Sequence, residues 1–200
     1  MNVAAPADIV QPDSFEFSAE NLAEAKKIIA RYPEGRQASA IMPLFDMAQR
    51  QSGWLPRAAI IRVADMLGVA HIRAYEVATF YTMYNLAPVG EHLVQVCTTT
   101  PCWLRGSADI VSACEKHLGI KTGQTTPDGK VTLREVECLG ACVNAPLMQV
   151  GDDYYEDLDP ASTVKILEDL QAGRKPKPGP QTGRQTSAPA PGLTTLKDTA

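Results

Sequence analysis

Four cysteines in two close pairs constrain this chain more than any other feature. Cys97 and Cys102 enclose Thr98-Thr99-Thr100-Pro101, Cys138 and Cys142 enclose Leu139-Gly140-Ala141, and residues 103–137 separate the pairs. Such spacing lets two neighbouring loops bring four thiolates together, which suits an iron–sulfur cluster or a metal ion. It also excludes particular sites. A redox-active Cys-x-x-Cys motif is absent, so dithiol–disulfide exchange is not the chemistry. No cysteine follows Cys102 at the distance that a Cys-x4-Cys-x2-Cys run requires, and His92 and His117 lie outside both pairs, so a Rieske ligand set is missing. Spacing alone leaves open an iron–sulfur cluster, a zinc ion and ordinary buried thiols.

Composition narrows the setting. Hydrophobic residues make up 44% of the chain, as in an ordinary globular protein. No apolar run approaches the ~18–20 residues of a membrane helix. The start, MNVAAPADIV, lacks a basic stretch and is interrupted by Asp8, so it does not read as a signal peptide. A cytoplasmic location is expected, where cysteines stay reduced and available as ligands. Five cysteines cannot all pair as disulfides. The net charge of −4 is unevenly spread: residues 173–200 carry Arg174, Lys175, Lys177, Arg184 and Lys197 against Asp198, so the body is more acidic than the total suggests. An acidic body argues against nucleic acid and for a partner with positive charge.

The apolar pattern changes period along the chain. Residues 18–86 read as helices. Ser18 caps the first, whose face carries Leu22, Ala25, Ile28, Ile29 and Tyr32. A second, near 37–50, is expected to bury Ala38, Ile41, Phe45 and Ala48, with Pro43 tolerable only in its first turn. A third follows Pro56, buries Ile60, Val63, Ala64 and Leu67 and stops at Gly68. A fourth begins near His71 and runs through Tyr75–Tyr84. Leu93–Cys97 then alternates as a strand, Leu104–Leu118 is helical, and Val131–Glu137 is a second strand. A hairpin is expected over 147–156 and a last helix over 161–172. The predicted organisation is an N-terminal extension (1–17), a helical bundle (18–88), an α/β domain (90–172) and a flexible partner-binding tail (173–200), whose prolines and glycines cannot build a core.

The segments CTTTPCWLRGS (97–107) and EVECLGACVNAP (135–146), with QSGWLP (51–56) and YEVATFYTMY (75–84) upstream, resemble the thioredoxin-like [2Fe–2S] ferredoxin family. The likeness is to the branch that serves NADH-dehydrogenase modules of respiratory complex I, and it covers roughly residues 15–172. It implies an α/β fold in which a helical bundle precedes a thioredoxin-like [2Fe–2S] domain. It implies one [2Fe–2S] cluster held by Cys97, Cys102, Cys138 and Cys142. It also implies an electron-transfer subunit that exchanges single electrons with the flavin of a partner. The same module serves NAD-linked formate dehydrogenases and hydrogenases, and stand-alone ferredoxins share the domain.

The remaining motifs fit that picture. No Gly-x-Gly-x-x-Gly or Walker-type loop is present, so FMN and NADH belong to a flavin- and NADH-binding partner. Other peripheral-arm subunits are expected neighbours, with no nucleic acid and no direct membrane insertion. The implied station is peripheral, on the cytoplasmic face of a bacterial inner membrane or the matrix face in a mitochondrion. Gly140 is expected to bend the second cysteine loop and bring amides to the sulfurs. Cys114 falls on an apolar helical stripe and reads as a structural thiol. The run Phe80-Tyr81-Thr82-Met83-Tyr84, Trp54 and Trp103 read as packing residues, and the acids from Asp152 to Asp159 as a solvated turn and helix cap.

Overall fold

The computed structural model describes residues 9–189, 191, 192 and 195. It divides between Pro88 and Val89 into a helical unit and a sheet unit. In the helical unit, helix α1 (Ala19–Ala30) starts as predicted: the Ser18 hydroxyl accepts the Asn21 N–H at 3.1 Å, satisfying one of the free donors of the first turn. Helix α2 (Ile41–Ser52) is preceded by a 3-10 turn (Gln37–Ala40), and Pro43 does sit in its first turn, where its missing N–H costs nothing. The buried stripe is Ala40, Ile41, Leu44, Phe45 and Ala48, whereas Ala38 is exposed. The tight turn before α2 rotates the stripe away from Ala38 and brings in Leu44, which the helical pattern alone does not pick out. Helix α3 (Arg57–Leu67) buries Ala59, Ile60, Val63 and Ala64 and stops at Gly68, whose φ of +62° few side chains accept.

Helix α4 (His71–Phe80) ends four residues short of the expected Tyr84. Tyr84 explains the break. Its ring is fully buried and meets Phe45 edge-on at 5.5 Å, and its hydroxyl donates to the Met42 carbonyl at 3.0 Å. Gln49 fixes the turn from below, donating to the Met83 carbonyl at 2.9 Å and accepting the Asn85 N–H at 2.6 Å. A helix continued through Tyr84 could not make these bonds. Phe80 and Met83, by contrast, are exposed.

The sheet unit is a mixed five-stranded sheet in the order β2-β1-β3-β4-β5. Strand β1 (His92–Cys97) pairs in parallel with β2 (Val131–Val136), with Cys97 opposite Val136. Strands β3 (Met148–Val150) and β4 (Asp153–Glu156) form the expected hairpin, and β3 lies antiparallel to β1. The expected helix over 104–118 starts three residues later, as α6 (Ser107–Leu118), and a separate short helix, α5 (Thr100–Leu104), precedes it; Gly106, with φ of +92°, parts the two. Ile110, Cys114 and Leu118 of α6 pack with Val94, Val96, Val131 and Leu133 of the strands and with Ile166, Leu167 and Leu170 of α7 (Pro160–Gln171). Burying each such aliphatic side chain contributes roughly 1.5–3 kcal/mol. Asp159 caps α7, accepting the Ser162 N–H at 2.7 Å, and this bond holds its carboxyl below the usual range.

Residues 173–189 keep to the sheet, although the sequence reading has a flexible tail begin at Gly173. Strand β5 (Gly179–Pro180) pairs in parallel with β4, and the Gln181 N–H donates to the Glu156 carbonyl at 2.9 Å. Edge pairing and polar contacts fasten this stretch without a core of its own. Leu193, Leu196, Lys197 and Asp198 lie outside the described residues.

Candidate metal centre

Parallel pairing of β1 and β2 brings the two cysteine motifs together. Both strands run the same way, so their C-terminal ends lie side by side, and loops beyond such ends are where ligands gather. Cys97 is the last residue of β1, and Cys138 follows Glu137 just past β2. Only part of the site is loop, however. Cys102 lies inside α5, and Cys142 opens a 3-10 turn (Cys142–Asn144).

The pairs differ in setting. Cys97 and Cys102 are buried with Ala145 and Leu147, and Leu139, Ala141 and Tyr154 pack against them. Cys138 and Cys142 are exposed, with their sulfurs 3.5 Å apart. Among the described residues, no three His, Cys, Asp or Glu side chains gather around a single metal-ion position. The thiols instead stand as two pairs, and a two-iron cluster takes four thiolates, two to each iron.

Within each pair the two thiols are tuned apart. Burial pushes Cys97 up, but the Thr99 hydroxyl at 3.4 Å, backbone bonds at Leu139 and Thr99, and the Cys102 thiol together outweigh it, so its pKa falls. Burial first, then the neighbouring Cys97, pushes Cys102 up to about 12. Cys138 is lowered, chiefly because the Gly140 N–H donates to its sulfur at 3.4 Å, and then by the Cys142 thiol. Cys142 is raised in turn, first by its bond to Cys138. Cys97 acts electrostatically on both members of the other pair, and Cys142 acts on Cys102, so the two pairs are close enough to influence each other. This donor set fits a [2Fe–2S] cluster in its chemistry: two cysteine pairs beyond the ends of adjacent strands, one thiol of each pair shifted toward the thiolate, and a glycine amide aimed at one of those sulfurs. Gly140 has φ of +86°, the bend the sequence requires there.

Cys114 is fully buried in the sheet-unit core, as its helical stripe predicts, and burial pushes its thiol up to about 12. Trp103, read from sequence as a packing residue, is 64% exposed beside Cys102, and Leu104 and Val143 are exposed as well. The supporting residues carry no sequence signal. The Tyr154 hydroxyl donates to the Leu139 carbonyl at 2.7 Å and steadies the Cys138 loop. Arg184 donates to the Val143 carbonyl at 2.9 Å, and Asn144 donates to the Glu156 carboxylate at 2.6 Å. Asp157, expected in a solvated turn, is instead mostly buried and paired with Arg184.

A family model described as thioredoxin-like [2Fe–2S] ferredoxin matches residues 25–171. The chain is 54% identical over 183 residues to the mitochondrial NADH dehydrogenase [ubiquinone] flavoprotein 2 of Dictyostelium discoideum, covering 91% of this chain and 74% of that protein. It is 60% identical over 159 residues to an NADH-quinone oxidoreductase subunit from Rickettsia conorii, covering 79% of this chain and 95% of that protein. The crystal structure of an air-oxidised NAD+-reducing [NiFe]-hydrogenase superposes with a TM-score of 0.57 at 18% identity, over 65% of this chain and 23% of the hydrogenase chain. That last likeness is one of fold.

Proposed function

The chain belongs to the thioredoxin-like [2Fe–2S] ferredoxin family, and on that premise we propose that it is the electron-transfer subunit of an NADH:quinone oxidoreductase, with Cys97, Cys102, Cys138 and Cys142 holding its cluster. The observation that carries the ligand assignment is the parallel β1–β2 register, which sets both cysteine pairs at one end of the sheet. Relatives that are more than half identical along most of their length are named as an NADH dehydrogenase flavoprotein and an NADH-quinone oxidoreductase subunit. When bound, a [2Fe–2S] cluster supplies a centre that takes up and returns one electron at a time.

The chain's own residues provide the setting. Ala145 and Leu147 exclude water from Cys97 and Cys102, while the exposed Cys138 and Cys142 leave that side open to a partner. The Gly140 amide stabilises negative charge on the Cys138 sulfur. In this reading FMN and NADH belong to a flavin-bearing partner, which divides the two electrons of a hydride. Among the described residues no helix is long and apolar enough to cross a membrane. The proposed station is peripheral, on the cytoplasmic face in a bacterium or the matrix face in a mitochondrion, held by the flavin-bearing partner and other peripheral-arm subunits.

Iron and sulfide analysis of five serine variants tests the ligand set. Cys97→Ser, Cys102→Ser, Cys138→Ser and Cys142→Ser should each lose or weaken the cluster, and Cys114→Ser should keep it. Full cluster content in any of the first four refutes the assignment of that residue.

A further inference from the structure

Residues 181–188 cross the sheet unit beside the turn that carries Cys142. Their anchor is Arg184, whose side chain is only 11% exposed although it is cationic; its partner Asp157 is 12% exposed. The guanidinium grips both carboxylate oxygens, Nε to Oδ2 at 2.6 Å and Nη2 to Oδ1 at 2.5 Å. Its other bonds go to main-chain carbonyls: Nη2 to Val143 at 2.9 Å and Nη1 to Ala188 at 3.2 Å. Val143 directly follows Cys142.

The same turn is held from two more directions. Asp157 adopts a left-handed backbone, φ of +53°, and its N–H donates to the Asn144 carbonyl at 2.8 Å. The Asn144 amide donates to Glu156 at 2.6 Å and to the Thr186 carbonyl at 3.1 Å. Asp157 therefore clasps the turn with its backbone and the strap with its side chain. A non-glycine residue in that backbone region persists only where its surroundings over-determine it, and these bonds supply the surroundings.

Apolar packing reaches this half of the site through Leu139 and Ala141, whereas Cys142 and Val143 at the turn itself are exposed. A buried ion pair is a poor source of net stability, since desolvation consumes most of its attraction. Its bidentate geometry is a good source of positional order. We propose that the 181–188 strap is a latch on the Cys142 turn, and that Arg184 is a positioning residue on which retention of the cluster depends. The proposal rests on the reading that Cys142 is a ligand.

The test uses the full chain carrying its cluster. The decay of its visible absorbance is followed anaerobically in EDTA, at a temperature where circular dichroism shows the fold intact. R184A should load the cluster and lose it about ten times faster or more, the scale seen when outer partners of metal ligands are removed. The electron paramagnetic resonance lines of its reduced cluster should broaden. R184K should fall between R184A and the parent, because an ammonium cannot reproduce the fork. R174A breaks a pair with Asp169 that lies elsewhere and should decay at the parent rate. If R184A fails to fold, D157N and R184K carry the same criterion. Decay at the parent rate with unchanged lines overturns the latch, as does faster decay in all variants in proportion to lost melting temperature. Full cluster content in C142S would instead overturn the ligand reading beneath it.

Discussion

The two cysteine pairs of the proposed site are built by different forces. Cys97 and Cys102 sit at the end of a strand and within a helix, sealed by Ala145 and Leu147. Cys138 and Cys142 sit exposed on a loop anchored by Leu139 and Ala141, whose shape comes from Gly140 and from hydrogen bonds that distant residues send to the carbonyls of Leu139 and Val143. Packing gives the first pair a fixed, dry position at the cost of raising the Cys102 thiol. Polar bonds give the second pair a fixed position while leaving it open to solvent. A site that must be both held and reachable by a partner needs one half of each kind.

The largest expected effect attacks the packed half. Leu147 is 1% exposed and lies against both buried cysteines. Leu147→Ala should destabilise the sheet unit by about 2–5 kcal/mol, the cost of a lost side chain plus the cavity it leaves. Hydrogen exchange at β1 and β2 reads this directly; unchanged protection there would mean that the pair is not held by packing.

A second prediction sets a buried thiol outside the site against the paired ones. Burial raises Cys114 from 9.0 to about 12. Above the ordinary thiol range the unfolded chain loses this proton while the folded chain keeps it. The stability tied to the neutral thiol is thus fully present below pH 9 and falls as pH rises toward 12. Each unit of such a shift corresponds to roughly 1.4 kcal/mol. Between pH 9 and 11 the parent should lose about 2 kcal/mol more than Cys114→Ala in urea denaturation. Parallel pH curves for the two would show that Cys114 is not held neutral.

The smallest effect probes the polar half. Tyr154→Phe removes the hydroxyl that holds the Leu139 carbonyl and should cost about 1 kcal/mol. Its signature is local, with faster amide exchange over 138–142 and none over α6. If exchange over 138–142 stays at the parent rate, the Tyr154 hydroxyl does not hold the loop.

Much of the fold is legible because it is encoded within a few residues. Ser18 announces a cap, Gly53 and Gly68 announce helix ends, and Val94 and Val96 announce a strand face. The departures share a cause. The end of α4 at Phe80 follows from burial of Tyr84 against Phe45 and Met42, far away in sequence. Leu44 and Ala38 exchange places because a 3-10 turn shifts the helical phase. The split at Gly106 is readable in principle from its glycine, but the apolar stripe on either side masks it.

By itself the sequence determined which atoms are available: two cysteine pairs at fixed spacing, a glycine that lets one pair turn, and a fifth thiol placed on an apolar stripe. Spacing and periodicity are short-range properties, so they survive being read along a line. Only the tertiary structure decided that β1 and β2 run parallel with Cys97 opposite Val136, that one pair is buried and the other open, and that Arg184 reaches Asp157 and Val143 across 27 and 41 residues. Those contacts form where the whole sheet unit has closed its loops and filled its core, and no local pattern marks the residues that will meet.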